Sequence, residues 1–155
     1  MKNSPYRIPY VNLGAQWQDD RDELLSIIDT VLGSGQYVGG DEVDKFEKNM
    51  AELCHVKYAI ALNSGTDALT LALHLNGIGR GDEVITAPNS FLASASSIAL
   101  VGATPVFADV REDFNIDPSL IEKAITKNTK AIVPVHLTGR IANMNQINEI
   151  ANNYN

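Results

Sequence analysis

Asn63-Ser64-Gly65-Thr66-Asp67-Ala68-Leu69 decides the reading of this chain: a short apolar run, Tyr58 to Leu62, stops there and a helical pattern of Leu69, Leu71, Ala72, Leu73 and Leu75 begins. A strand is expected to turn directly into a helix at that point. Such a junction points the first free N–H groups and the positive end of the helix dipole outward, and Gly65 lets a ligand approach the backbone closely, so the turn suits a phosphate. Ser64 and Thr66 add hydroxyl donors. The plainer alternative, an ordinary turn in which Ser64, Thr66 or Asp67 only caps the helix, stays open on the residues alone.

Working outward, further short apolar runs begin at Glu83 (to Ala87), Pro105 (to Ala108) and Ala131 (to His136), each followed by helical material. The runs start 22 to 26 residues apart, a spacing that suits strand-helix-strand units with right-handed crossovers and hence a parallel sheet. Asp117-Pro118 is a helix opening, with aspartate as cap and proline in the first turn. Before Cys54 the pattern is helical instead. One helix is expected over Asp19 to Leu32, with Leu24, Leu25, Ile27, Ile28 and Val31 on one face and Gly33 and Gly35 as stops. A second is expected over Asp41 to Leu53, with Asp41 as cap and with Val43, Phe46, Met50 and Leu53 on its apolar face. The organisation is therefore a helical segment over residues 1–54 and an α/β domain, left incomplete, over residues 55–155.

Composition fits about one globular domain: 155 residues, 45% hydrophobic and 6% aromatic, with formal net charge -7. That charge, with no cluster of Lys and Arg, argues against a nucleic-acid surface. The one cysteine, Cys54, excludes an internal disulfide and is compatible with a reducing cytoplasm. Its place in the pattern of Phe46, Met50 and Leu53 predicts a packed thiol. No apolar run has the length of a membrane span, and Met1-Lys2-Asn3-Ser4-Pro5 lacks the apolar core of a signal peptide. No set of Cys, His and carboxylates has metal-ligand spacing, so no metal is expected, and His55 and His74 have no partner signature.

Other phosphate and nucleophile motifs do not fit. Gly77, Gly79 and Gly81 follow a helix and precede a strand, the reverse of a dinucleotide-binding GxGxxG, and read as a connecting loop. The turn after Leu62 has no P-loop lysine. Ser64 sits in NSGTD, not in the GxSxG of a hydrolase elbow.

From Ile8 to Tyr154 the chain resembles the DegT/DnrJ/EryC1/StrS family of sugar aminotransferases, which use pyridoxal 5'-phosphate. The matching segments keep the family's order: IPYVNLGAQ at Ile8, SGQYVGGDEVDKFE at Ser34, ALNSGTDALTLAL at Ala61, GRGDEVITAPNSFLASASSIALVGATPVFADV at Gly79 and TKAIVPVHLTGRIANM at Thr129. The resemblance implies an α/β chain: the N-terminal part of the large domain of the aspartate-aminotransferase-like fold, a mainly parallel sheet with flanking helices. It also implies that the Schiff-base lysine, and the acidic partner of the pyridine nitrogen, belong to sequence beyond Asn155. Lys57, Lys123, Lys127 and Lys130 are then no substitute, and no catalytic residue is expected in this chain.

The resemblance assigns the cofactor phosphate to Gly65 and Thr66, with Ser64 and Asp67 second, and sets Phe91 of Pro88-Asn89-Ser90-Phe91 against the pyridine ring. The alternative for Phe91 is a core position at the start of the helix carrying Ile98 and Leu100. His136, at the expected end of its strand, is a candidate for shaping the cofactor pocket or a structural hydrogen-bonding residue. Tyr37, in Gly35-Gln36-Tyr37-Val38-Gly39-Gly40, is a candidate substrate contact near a neighbouring subunit's site. Thr138 stands where the family commonly has tyrosine, a departure at a position where the resemblance implies a sugar or partner-subunit contact by that ring. The implied whole protein is a cytoplasmic homodimer that moves an amine from a donor such as glutamate to a nucleotide-linked keto sugar. A dehydratase of the same family and a noncatalytic truncated or regulatory homologue are the alternatives.

Overall fold

The computed structural model describes residues 9–154. Met1-Lys2-Asn3-Ser4-Pro5, read for a leader, and Ile8, where the first matching segment opens, lie outside the described residues. The chain divides into two compact units between Ala61 and Leu62.

The first unit holds α1 (Leu13–Ser34) and α2 (Asp41–Leu53). The helix expected from Asp19 starts six residues earlier because Asn12 caps it: its side-chain oxygen accepts from the Ala15 N–H at 3.3 Å. Gly33 stays helical and Gly35 ends α1 with φ 74°, a conformation that favours glycine. At α2 the cap is Gly40, φ 105°, and not Asp41. Asp41 is instead the first helical residue and stands with Glu42 and Asp44 at the positive helix end. Neither helix contains a fully buried residue. Leu24, Leu25, Ile27 and Ile28 are 40–47% exposed. Cys54 corrects the packed-thiol expectation: it caps the end of α2 and is exposed, since this helix has no core to enter.

The second unit begins where the expected Tyr58–Leu62 strand fails to form. Tyr58 and Ile60 are 72% and 76% exposed, and no described strand pairs with them. Apolar composition gives β potential, but a strand exists only by pairing with a neighbour. From there run α3 (Gly65–Leu75), β1 (Glu83–Thr86), α4 (Ala93–Leu100), β2 (Thr104–Phe107), α5 (Pro118–Ala124), β3 (Thr129–Val133), a 3-10 turn at Leu137–Gly139 and α6 (Met144–Tyr154). The strands form one parallel sheet in the order β2-β1-β3, as the spacing predicts. The expected run to His136 is cut at Val133, because Pro134 has no N–H to extend the ladder.

β1 lies at the centre and alternates between two cores. Val84 packs with Leu73, Ile78, Ile98 and Ala103 on the α3–α4 side. Ile85 and Ala87 pack with Ala108, Ile116, Ile121, Ala142 and Ile147 on the α5–α6 side. Val84, Ile85, Ile98 and Ile121 are all 0% exposed, and burial of each such side chain is worth about 1.5–3 kcal/mol. α5 opens as read, with the Asp117 carboxylate accepting from the Ser119 N–H at 2.9 Å and proline in the first turn.

Candidate functional site

The parallel sheet gives the second unit a defined rim at the carboxyl ends of β1, β2 and β3, where open α/β sheets receive ligands. α3 delivers its last turn to the loop that starts β1 and packs along α4, so its first turn lies on this same side. The expected phosphate turn and the loops after the three strands therefore share one end of the sheet.

At that turn Ser64 is the N-cap. Its backbone is extended (φ -157°, ψ 156°) and its Oγ accepts from the Asp67 N–H at 3.1 Å. The Ala68 N–H donates to the Ser64 carbonyl at 3.1 Å. Among the described residues nothing accepts from the N–H groups of Gly65 and Thr66, and the Thr66 hydroxyl has no partner. Two backbone donors and one hydroxyl thus converge at the positive end of an 11-residue helix. Gly65 lies within the helix, and no atom lies within 4 Å of where its Cβ would sit. Among the described residues neither backbone conformation nor packing requires glycine at this first helical position. The open backbone here leaves room for an anion to touch the N–H groups, so the residues present fit the phosphate of pyridoxal phosphate.

Phe91 follows β1 in the turn before α4 and is 81% exposed. It does not enter the core of this chain: α4 buries Ala93, Ser94, Ser97 and Ile98, while Leu100 is 66% exposed. His136 is exposed three residues past the end of β3. Its Nδ1 accepts from the Ala142 N–H at 3.1 Å, so the neutral ring carries its proton on Nε2. Thr138, in place of the commoner tyrosine, has the left-handed φ of 52° and its hydroxyl donates to the Leu137 carbonyl at 2.8 Å. Tyr37 lies in the first unit between α1 and α2, 70% exposed, and its hydroxyl donates to the Leu32 carbonyl at 3.2 Å.

Two asparagines that the sequence reading passed over tie the rim loops together. Asn89, after β1, donates from Nδ2 to the Phe114 carbonyl at 2.9 Å. Asn115, 2% exposed, donates from Nδ2 to the Arg140 carbonyl at 3.3 Å and accepts the Leu137 N–H on Oδ1 at 3.2 Å. Because the strand order is β2-β1-β3, this contact carries the segment after β2 across the end of the central strand. Asn89-Ser90 beside the aromatic, and an asparagine between Phe114 and Ile116, were the available signals.

The concavities lie elsewhere. One of about 560 Å³ is lined by Leu69, Leu73, Ile78, Ala131 and Val133, and one of about 590 Å³ by Ile125, Ile132, Met144, Ile147 and Tyr154, on either side of β3. A third of about 700 Å³ lies in the first unit beside Glu47 and His55. None is lined by Ser64, Gly65, Thr66, Asp67, Phe91 or His136. The rim is an open surface in this chain.

Comparison with known proteins gives the architecture its relatives. The model of the DegT/DnrJ/EryC1/StrS aminotransferase family matches residues 18–155. A pleiotropic regulatory protein of Geobacillus stearothermophilus is 43% identical over 145 residues, which are 93% of this chain and 39% of the relative. The dTDP-3-amino-3,4,6-trideoxy-alpha-D-glucose transaminase of Streptomyces venezuelae is 43% identical over 149 residues, 96% of this chain and 39% of the relative. The crystal structure of NtdA from Bacillus subtilis with bound cofactor PMP superimposes with a TM-score of 0.88 at 35% identity, over 99% of this chain and 36% of that one. The chain thus spans about two fifths of the length of the curated relatives it matches. With a matching family model over nearly its whole length and a fold that superimposes on the structural neighbours, the chain belongs to the DegT/DnrJ/EryC1/StrS aminotransferase family.

Proposed function

We propose that this chain is the N-terminal part of a pyridoxal phosphate-dependent aminotransferase that transfers the amine of a donor such as glutamate to a nucleotide-linked keto sugar, in the cytoplasm and as a homodimer. The observation that carries the reading is the first turn of α3: among the described residues, two backbone donors and the Thr66 hydroxyl have no partner, and neither packing nor conformation demands the glycine. The sugar-nucleotide transaminase of Streptomyces venezuelae supports the substrate class, and the PMP held by NtdA supports the cofactor.

When bound, pyridoxal phosphate supplies an electron sink for moving an amine between two carbons. The residues of this chain bind and orient it. Gly65 and Thr66 hold the phosphate through N–H groups and the Thr66 hydroxyl, while Ser64 and Asp67 keep the turn in shape. Phe91 covers one face of the ring, a contact worth about 0.5–1.5 kcal/mol beyond burial. His136 offers Nε2–H to the pocket. Tyr37 reaches toward substrate at the site of the neighbouring subunit. The lysine that holds the cofactor, and the remaining walls of the open rim, come from sequence outside this chain, and residues 55–155 are the first part of the cofactor domain.

The test is the reaction of the full-length protein with glutamate and nucleotide-linked keto sugars. Formation of 2-oxoglutarate and an amino sugar is the expected result. The name of the Geobacillus relative favours a regulatory homologue as the second reading. A protein that binds pyridoxal phosphate yet forms neither 2-oxoglutarate from glutamate nor the corresponding oxo acid from any other amino donor, with any keto sugar, would favour that reading.

A further inference from the structure

We propose that Asn115 is a positioning residue for the cofactor site, holding the loop after β3 so that His136 presents Nε2–H to the rim. This rests on the pyridoxal phosphate reading above. Asn115 is 2% exposed and uses both ends of its amide on one loop: Oδ1 accepts the Leu137 N–H at 3.2 Å and Nδ2 donates to the Arg140 carbonyl at 3.3 Å. One acceptor and one donor are required together, which fixes the amide's orientation and excludes aspartate and leucine as equivalents.

The two bonds bracket Thr138 and Gly139, which have φ of 52° and 85°. The turn's own backbone bonds, from the Gly139 N–H to the His136 carbonyl at 3.2 Å and from the Arg140 N–H to the Leu137 carbonyl at 3.0 Å, hold it against the cost of a β-branched residue at positive φ, and the Asn115 amide braces it from outside the loop. Asn115 is itself anchored. Its own N–H donates to the Asp113 carboxylate at 3.2 Å, its carbonyl accepts from the Arg111 N–H at 2.9 Å, and Asn89 ties the adjoining Phe114 carbonyl to the loop after β1. His136 is the residue directly before the braced turn, and the Ala142 N–H fixes its ring from the other side through Nδ1. Backbone and ring are therefore both pinned, and Asn115 acts through His136.

The experiment uses the full-length protein with ¹⁵N-labelled histidine and a double-mutant cycle of Asn115→Leu and His136→Gln on the pyridoxal phosphate dissociation constant. Each single substitution is expected to weaken binding by about tenfold, and the double variant to be little weaker than either, because both remove one coupled element. In the wild type, side-chain ¹⁵N shifts are expected to report His136 as the Nε2–H tautomer and to move when the cofactor is added. In Asn115→Leu the tautomers should mix. Asn115→Leu that lowers the melting temperature but leaves both cofactor affinity and the His136 signals unchanged would overturn the proposal, as would additive effects in the cycle. If Asn115→Leu does not fold, the wild-type spectra decide: a His136 that is not the Nε2–H tautomer, or that ignores the cofactor, overturns the proposal. A wild-type protein that binds no pyridoxal phosphate would instead overturn the underlying reading.

Discussion

Ser64 and Thr66 are two residues apart and stand in opposite relations to the fold. The Ser64 Oγ caps α3 by accepting the Asp67 N–H, so Ser64→Ala is expected to cost about 1 kcal/mol of stability. The Thr66 hydroxyl has no partner among the described residues, so Thr66→Ala should leave stability within about 0.5 kcal/mol. Its effect belongs to the ligand: loss of a charge-assisted hydrogen bond to phosphate is expected to weaken pyridoxal phosphate retention by about 1.5–3 kcal/mol. Thermal melting and equilibrium dialysis of both variants in the full-length protein separate the two roles. Equal cofactor affinity in wild type and Thr66→Ala would remove Thr66 from the site. The caps at Ser64 and Asp117 were legible in the sequence because a cap bonds within three residues of itself. The roles of Asn89 and Asn115 were not, because their partners lie 22 to 25 residues away and meet only once the sheet has formed.

Among the elements, α2, β1 and β2 follow the sequence reading to within a residue or so at each end, and α5 at its start, since their periodicity and flanking glycines or prolines are local signals. The earlier start of α1 was hidden because Gly14, a poor helix former, sits in its first turn and masks the cap at Asn12. The Tyr58–Leu62 run shows the opposite failure: its composition is that of a strand, but pairing is a property of a neighbour and no described strand supplies one. The turn after β3 stores strain that no pattern announces. Thr138 holds φ 52° and ψ 29°, a region that costs a β-branched residue about 1–2 kcal/mol. Thr138→Asn, which tolerates this conformation, is expected to raise stability by up to about 1 kcal/mol. A lower melting temperature would mean that the hydroxyl bond to the Leu137 carbonyl outweighs the strain.

For the molecule as a whole, β3 is an edge of the sheet with apolar concavities on both sides, and the apolar face of α1 is half exposed. Open strand edges and large apolar patches promote association. A polypeptide of these 155 residues expressed alone is therefore expected to self-associate, with Leu24→Lys and Ile28→Lys on the half-exposed face of α1 shifting it toward monomer in sedimentation velocity; a monodisperse wild-type monomer would contradict this. The central claim, that the first turn of α3 receives the cofactor phosphate, is tested most directly at Gly65. Among the described residues a Cβ there meets no protein atom within 4 Å, and alanine at this first helical position is at least as compatible with helix as glycine. In the full-length protein Gly65→Ala is expected to melt at the same temperature as wild type or higher, yet to bind pyridoxal phosphate about tenfold or more weakly, the equivalent of about 1.4 kcal/mol. A variant that kept wild-type cofactor affinity would contradict the placement of the phosphate at this turn.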